Sequence, residues 1–136
     1  MSSQPDLKQL ILLNAFIGGY MGKSFAVSMD REEKGIHHMT YYRGDVLELN
    51  ENDFTDEDPQ FTNESWQKFI EDLHQIDILK WKANYENHTI IDGTQWNLEL
   101  LFEDGSKIKK RGINSFPRTF SKFSKIIENL TGKEFV

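Results

Sequence analysis

The first third of the chain shows the apolar and polar patterns that predict three β-strands. An apolar run over Leu7–Ile17 ends at Gly18-Gly19, which indicates a buried strand, with a short helix as the alternative. Apolar residues then recur at every second position, the period of a half-buried strand, at Phe25, Val27 and Met29. After a polar turn, Ile36–Tyr42 is rich in β-branched and aromatic residues. This order predicts a three-stranded meander.

A segment of different character follows. Asp45–Asp58 holds seven acidic residues and no basic one, and it contains few large apolar side chains. Dense like charge with little apolar surface favours a solvated loop.

An apolar stripe after this loop predicts an amphipathic helix. Its members recur at steps of three and four residues: Trp66, Phe69, Ile70, Leu73 and Ile76. Thr62 or Asn63 supplies the N-cap, and the helix is expected to fade near Asp77. Ile78–Lys82 is expected to run extended.

The next segment predicts a hairpin in which Thr89–Ile91 and Thr94–Phe102 flank an Asp92-Gly93 turn. Alternation places one apolar set on a single strand face: Trp96, Leu98, Leu100 and Phe102. We expect Trp96 to pack against the apolar stripe of the first helix. Asp104-Gly105 is a second turn signal, and Ser106–Arg111 after it is predicted to be a basic edge strand.

A second helical stripe predicts a helix near the end of the chain, formed by Phe120, Phe123, Ile127 and Leu130. Pro117 suits its first turn, and Gly132 is a natural stop. The element order β-β-β-α-β-β-β-α predicts one α+β domain spanning residues 1–136. We expect an antiparallel sheet of about six strands with two helices packed on it.

Composition excludes several functions. The 136 residues include no cysteine, which removes disulfides, thiolate zinc sites and thiol nucleophiles. The net charge of −6 disfavours general nucleic-acid binding, because an acidic surface repels phosphates. The apolar stretch Leu10–Ile17 is too short to span a bilayer, and the N-terminus lacks a signal-peptide pattern. We therefore expect a cytoplasmic protein that does not insert into membranes.

Candidate catalytic and metal-binding residues do not form recognisable constellations. His37 and His38 are neighbours on a predicted strand, so they point to opposite faces and cannot share one ion. The acidic loop lacks the glycine that a calcium loop needs at its sixth position. Asp92 is explained by its turn, whereas Glu99 and Glu103 share the polar face of a strand. Phosphate-binding and dinucleotide-binding glycine motifs are also absent from the sequence. Together, these observations predict no catalytic residue, metal site or cofactor.

The charged residues are separated into two poles, which favours docking to an oppositely charged protein. The acidic pole centres on Asp56, Glu57 and Asp58, and the basic pole on Lys109, Lys110 and Arg111. The leading hypothesis is a non-catalytic cytosolic domain that binds another protein, as bacterial or phage inhibitors and immunity-type proteins do. The sequence does not define the oligomeric state.

Two other functions stay open. One is a small-ligand-binding or enzymatic domain with a pocket at Trp81, Tyr85, Trp96 and Asn114. The other is a domain that only oligomerises, through its first strands.

Several motifs between Trp66 and Leu130 resemble those of a small, poorly characterised family of bacterial proteins with no established function. They are Trp66/Phe69, Trp81/Tyr85, Asp92/Gly93/Trp96, Gly112/Asn114/Phe116/Pro117 and Phe120/Phe123/Leu130. The glycine-rich segment Gly18–Gly22 is similar to the first turn of that family. The chain departs from the family at Ile113 and Ser115-Phe116, where a small residue and Ala-Tyr are expected. The resemblance supports the predicted fold and implies no reaction.

Overall fold

Among the described residues, six strands form one sheet and two helices accompany it, as seen in a computed structural model. The structure describes residues 6–19, 23–32, 35–42, 62–86, 94–132 and 135. In chain order, the elements are β1 (Leu10–Gly19), β2 (Lys23–Asp30), β3 (Gly35–Tyr42), α1 (Asn63–Gln75), β4 (Asn84–Glu86), β5 (Thr94–Phe102), β6 (Lys107–Ile113) and α2 (Phe120–Thr131). Two 3-10 turns cover Leu7–Gln9 and Ile78–Lys80. The α+β class and the two helices are confirmed.

The strand order in the sheet is β3-β2-β1-β5-β6-β4. The predicted N-terminal meander is confirmed, because β1 pairs with β2 and β2 with β3 in antiparallel register. The predicted antiparallel pairing is confirmed for β3-β2-β1-β5-β6, whereas β4 runs parallel to β6. Since β5 is paired with β1 on one edge and β6 on the other, β4 joins the sheet beyond β6. The predicted basic edge strand is therefore covered by β4 along Arg111–Ile113.

Local capping sets the limits of α1. Thr62 is its N-cap, and Thr62 and Ser65 form a reciprocal capping box at the first turn. Beyond the helix, Asp77 adopts a left-handed conformation with φ of 55°, which turns the chain away from the helical path. The segment that follows was expected to be extended, but Ile78–Lys80 forms a 3-10 turn.

The second helix begins later than Pro117 suggested. Pro117 lies in a turn before the helix and accepts a hydrogen bond from the Phe120 amide at 3.1 Å. Thr119 is the N-cap, but its hydroxyl does not cap the helix, because it bonds elsewhere in the core. Gly132 ends the helix with φ of 70°, as its position in the sequence predicted.

The core lies between one face of the sheet and the apolar stripes of both helices. Every predicted α1 stripe residue is buried in this core, and so are Trp96, Leu98, Leu100 and Phe102 of β5. Trp96 is buried as predicted, in one core cluster with the α1 stripe. The aromatic rings that contact it belong to Trp81, Tyr85 and Phe120, the first residue of α2. Strand β2 is more deeply buried than its alternation suggested, because Ser24 and Ala26 are buried as well.

Two predicted features lie outside the described residues. They are the acidic Asp45–Asp58 loop and the Thr89–Ile91 strand with its Asp92-Gly93 turn. The second predicted turn is confirmed, because Gly105 has φ of 86° between β5 and β6. Neither described helix is long and apolar enough to cross a membrane.

Candidate functional site: the open face of the sheet

One face of the sheet carries no helix within the described part of the chain. Strand alternation directs Leu98 and its apolar neighbours toward the core, so Asn97 and Glu99 of β5 lie on the opposite face. The antiparallel register places Asn14 of β1 directly opposite Glu99, and Lys109 of β6 opposite Glu99 on its other side. We call the surface formed by these residues and their neighbours on β2 and β6 the open face.

A row of cations runs along the β6 side of the open face. Lys107, Lys109 and Arg111 occupy alternate positions of β6, so all three project from the same face. Their side chains are 46%, 70% and 61% exposed, respectively. We call these three residues the basic row.

The carboxylates near the basic row neutralise it only in part. Glu99 lies 3.6 Å from the Lys107 ammonium and 3.9 Å from that of Lys109, while Glu86 lies 3.5 Å from the Arg111 guanidinium. Exposed ion pairs of this kind contribute about 0–1 kcal/mol each, because water screens them and the long side chains lose freedom. Among the described residues, three cations thus face two carboxylates, so the row carries an excess of positive charge, and its exposed members can exchange these partners for others.

A shallow hollow of about 660 Å³ lies on the open face. The hollow extends from Lys109 and Arg111 of the basic row to the centre of the sheet, where Phe16, Ala26 and Asn97 line it. The half-buried Phe16 provides an apolar surface, Ala26 lines the hollow but is itself buried, and Asn97 and Asn14 provide amide donors and acceptors. This mixture of apolar, amide and cationic groups suits a non-covalent contact with a polypeptide.

The basic pole predicted from the sequence is divided between the two faces of β6. Lys109 and Arg111 are exposed on the open face, whereas Lys110 lies on the core face and is only 7% exposed. The Lys110 ammonium donates hydrogen bonds to the carbonyl oxygens of Trp81 and Leu79, which follow α1. Burial lowers the pKa of Lys110 from its ordinary value, because a charged ammonium loses its water. Lys110 is therefore a structural residue and does not contribute to an exposed basic pole.

The acidic pole of the sequence, at Asp56, Glu57 and Asp58, lies outside the described residues. The same holds for Asp92. The side chains of His37 and His38 also lie outside the described set, although their backbone belongs to β3. Within the residues that are described, no three His, Asp or Glu side chains are grouped in a way that could hold a metal ion.

The aromatic residues of the alternative ligand pocket come together, but as part of the core. Trp81 and Trp96 are 6% and 1% exposed and meet edge to face at 5.8 Å between ring centroids. The Trp96 indole N–H donates to the Ser115 carbonyl at 2.9 Å, and that of Trp81 donates to the Thr119 hydroxyl at 3.0 Å. Both indoles are therefore closed to solvent and satisfied within the protein.

The other two residues of that set lie at the edge of the cluster. Tyr85 is half-buried, with its ring 5.9 Å from that of Trp96, and its hydroxyl accepts a hydrogen bond from the Lys82 amide at 3.0 Å. Asn114 adopts φ of 56° and donates its amide to the Thr94 carbonyl at 2.8 Å, which ties the loop to the start of β5. The four residues form a packed junction between β5, β6 and α2.

Sequence reasoning missed Thr119, although this residue holds the junction together. Its hydroxyl accepts from the Trp81 indole and donates to the Ile76 carbonyl, each at 3.0 Å. One side chain therefore links α2 to the end of α1 and to the segment before β4. These partners lie far from Thr119 in sequence, so no local motif reveals them.

No protein-family model, curated protein or solved structure matches the chain.

Proposed function

We propose that this protein is a non-catalytic cytosolic binding domain that docks another protein on the open face of its sheet. The observation that carries the proposal is the exposed basic row beside the hollow of about 660 Å³. A row of alternating cations on a rigid strand presents charge at fixed spacing, which steers an acidic partner and fixes its orientation.

The chemistry of the surface favours a protein over a nucleic acid or a membrane. The chain as a whole carries a net charge of −6, so phosphate-rich surfaces are repelled at long range. The basic row acts locally, where an acidic segment of a folded partner can reach it. Small inhibitor or immunity-type proteins are the class that works in this way, by covering a partner's surface.

The small-ligand alternative at Trp81, Tyr85, Trp96 and Asn114 has less support. The two indoles are closed to solvent, and their N–H groups already have partners. A ligand at this position would have to displace core packing, which costs several kcal/mol for aromatic side chains of this size.

Paired charge reversals test the docking proposal. The tagged full-length protein would be used to capture partners from its own cells, with Lys109→Glu/Arg111→Glu compared against the unchanged chain. The matched control is Lys8→Glu/Lys122→Glu, which lowers the net charge by the same amount at exposed positions off the open face. We expect a protein to be recovered by the unchanged chain and by the control, but not by the open-face variant.

Three outcomes contradict the proposal. One is equal capture by the open-face variant, and another is equal loss with the control. The third is a purified protein that binds no macromolecule but tightly holds or converts a small molecule.

A further inference from the structure

A second surface, independent of the open face, lies where β6 leads into α2. Phe116 is 41% exposed and is the one exposed large apolar side chain among the described residues. Its ring centroid lies 5.0 Å from that of Phe120, the first residue of α2. An aromatic ring at this exposure keeps apolar area in water that a partner can cover.

Hydrogen bonds of the two residues before Phe116 hold its loop in place. The Asn114 amide donates to the Thr94 carbonyl at 2.8 Å, and the Ser115 carbonyl accepts from the buried Trp96 indole at 2.9 Å. These bonds tie the loop to β5, so the outward position of Phe116 is built into the fold. A pre-positioned aromatic side chain loses little conformational freedom on binding, which favours its use as an anchor.

A hollow of about 530 Å³ adjoins Phe116. Its apolar lining comes from Ile17, Pro117 and Phe120. Ser124 also lines it and is only 6% exposed, and its hydroxyl has no hydrogen-bond partner among the described residues. Because this oxygen is closed to solvent, Ser124 adds no polar contact at the surface of the hollow, whose described wall is largely apolar.

The charged lining of this hollow favours an acidic occupant. Arg118 and Lys125 both line it, and neither forms an ion pair with another described residue. Glu128 is the acidic member of the lining, and its carboxylate accepts a hydrogen bond from the Phe135 amide at 3.2 Å. Two cations without a described counter-ion therefore flank an apolar hollow.

We infer that this hollow, which we call the Phe116 site, anchors an apolar side chain from an acidic segment of a partner protein. The apolar side chain would pack against Phe116 and Phe120, while neighbouring carboxylates would pair with Arg118 and Lys125. Apolar contact supplies affinity in such an interface, and the flanking charges supply selectivity for acidic segments.

Synthetic peptides test this inference without knowledge of the natural partner. The probe is a short peptide of aspartate and serine with one central phenylalanine. The first comparison peptide has alanine at the centre, and the second has lysine in place of aspartate. Each is titrated into the isotope-labelled full-length protein, and amide chemical shifts are followed by NMR.

We expect saturable shifts at the Phe116 site, including the amides of Phe116, Arg118 and Lys125, for the acidic phenylalanine peptide. Phe116→Ala should weaken its binding about tenfold, the loss typical of an interface anchor residue. Arg118→Glu/Lys125→Glu should weaken it at least as much. Lys109→Glu/Arg111→Glu, which removes charge from the open face, should leave it unchanged.

Other outcomes overturn the inference. They are equal binding of the alanine-centred peptide, shifts that map elsewhere, absence of saturable binding, or full affinity in Phe116→Ala with its thermal unfolding unchanged. The variants separate the two proposals. Phe116→Ala and Arg118→Glu/Lys125→Glu change the Phe116 site and leave the open face intact, whereas Lys109→Glu/Arg111→Glu changes the open face and leaves the Phe116 site intact.

Discussion

Replacing Gly112 with alanine tests the packing of the aromatic junction most sharply. Gly112 lies directly opposite Trp96 in the β5–β6 ladder. A Cβ atom on Gly112 would lie 2.1 Å from the Trp96 indole nitrogen and 2.5 Å from the Ser115 carbonyl oxygen. Both distances are far inside van der Waals contact, so one of these groups must move.

Neither group can move freely. The indole is 1% exposed, and its N–H is bonded to the same Ser115 oxygen at 2.9 Å. Its ring is also held between Trp81 and Phe120, with centroid distances of 5.8 Å and 5.2 Å. Overpacking in a closed core costs about 1–3 kcal/mol. Loss of the indole hydrogen bond adds about 1 kcal/mol, so Gly112→Ala should cost about 2–4 kcal/mol in total.

The assay is urea unfolding followed by tryptophan fluorescence, together with a thermal melt. For a chain of 136 residues, an unfolding entropy of about 2.1 cal/mol/K per residue makes the expected loss in Tm about 7–14 °C. Trp96→Phe removes the indole atoms that clash, so Gly112→Ala should cost less in that background. A loss below about 1 kcal/mol, or an equal loss in both backgrounds, would show that the added Cβ atom does not clash with the Trp96 indole.

Substitutions at three further positions probe the turn and the buried polar contacts. Gly105→Val should cost about 2 kcal/mol in urea unfolding, because Gly105 has φ of 86° and a β-branched residue is strained there. Gly105→Asn should cost less than half as much. Equal losses in the two variants would contradict a strained backbone at this turn. Thr119→Val should cost about 1–3 kcal/mol, because it leaves the Trp81 N–H and the Ile76 carbonyl without their hydrogen-bond partner. Thr119→Ser keeps the hydroxyl and should keep most of that stability. A Thr119→Val variant of unchanged stability would contradict a stabilising role for the hydroxyl. Lys110 has a pKa lowered from 10.5 by burial, so the unfolded chain binds its proton more tightly. The unchanged protein should therefore gain stability relative to Lys110→Met as pH rises from the lowered pKa to 10.5. A stability difference between the two proteins that stays constant or falls over this range would contradict the burial of a charged Lys110.

Much of the fold could be predicted because its signals are local and periodic. The three N-terminal strands, the buried face of β5 and the stripe of α1 follow from residue spacing alone. The Gly105 turn and the Gly132 helix stop follow from the conformational freedom of glycine. Strand β4 could not be predicted, because three residues carry no periodicity and its parallel partner β6 lies later in the chain.

The candidate site was predicted only in part. Lys109 and Arg111 were correctly placed in a basic strand, but Lys110 was grouped with them as if the three pointed the same way. The alternation of the strand was the available signal, since it places Lys110 with Ile108 and Gly112 on the core face. The open face itself depends on which side the helices pack, and that side is settled by contacts between distant residues.

The association rate of the partner tests docking through the open face most directly. The measurement uses the purified partner, immobilised, with the unchanged protein, Lys109→Glu/Arg111→Glu and Lys8→Glu/Lys122→Glu over a series of salt concentrations. We expect the open-face variant to associate at least about tenfold more slowly at low salt, with a smaller change in its dissociation rate, and we expect this difference in association rate to narrow as salt rises. Association of the open-face variant at the rate of the unchanged protein, or equal slowing of the control, would contradict docking through the open face.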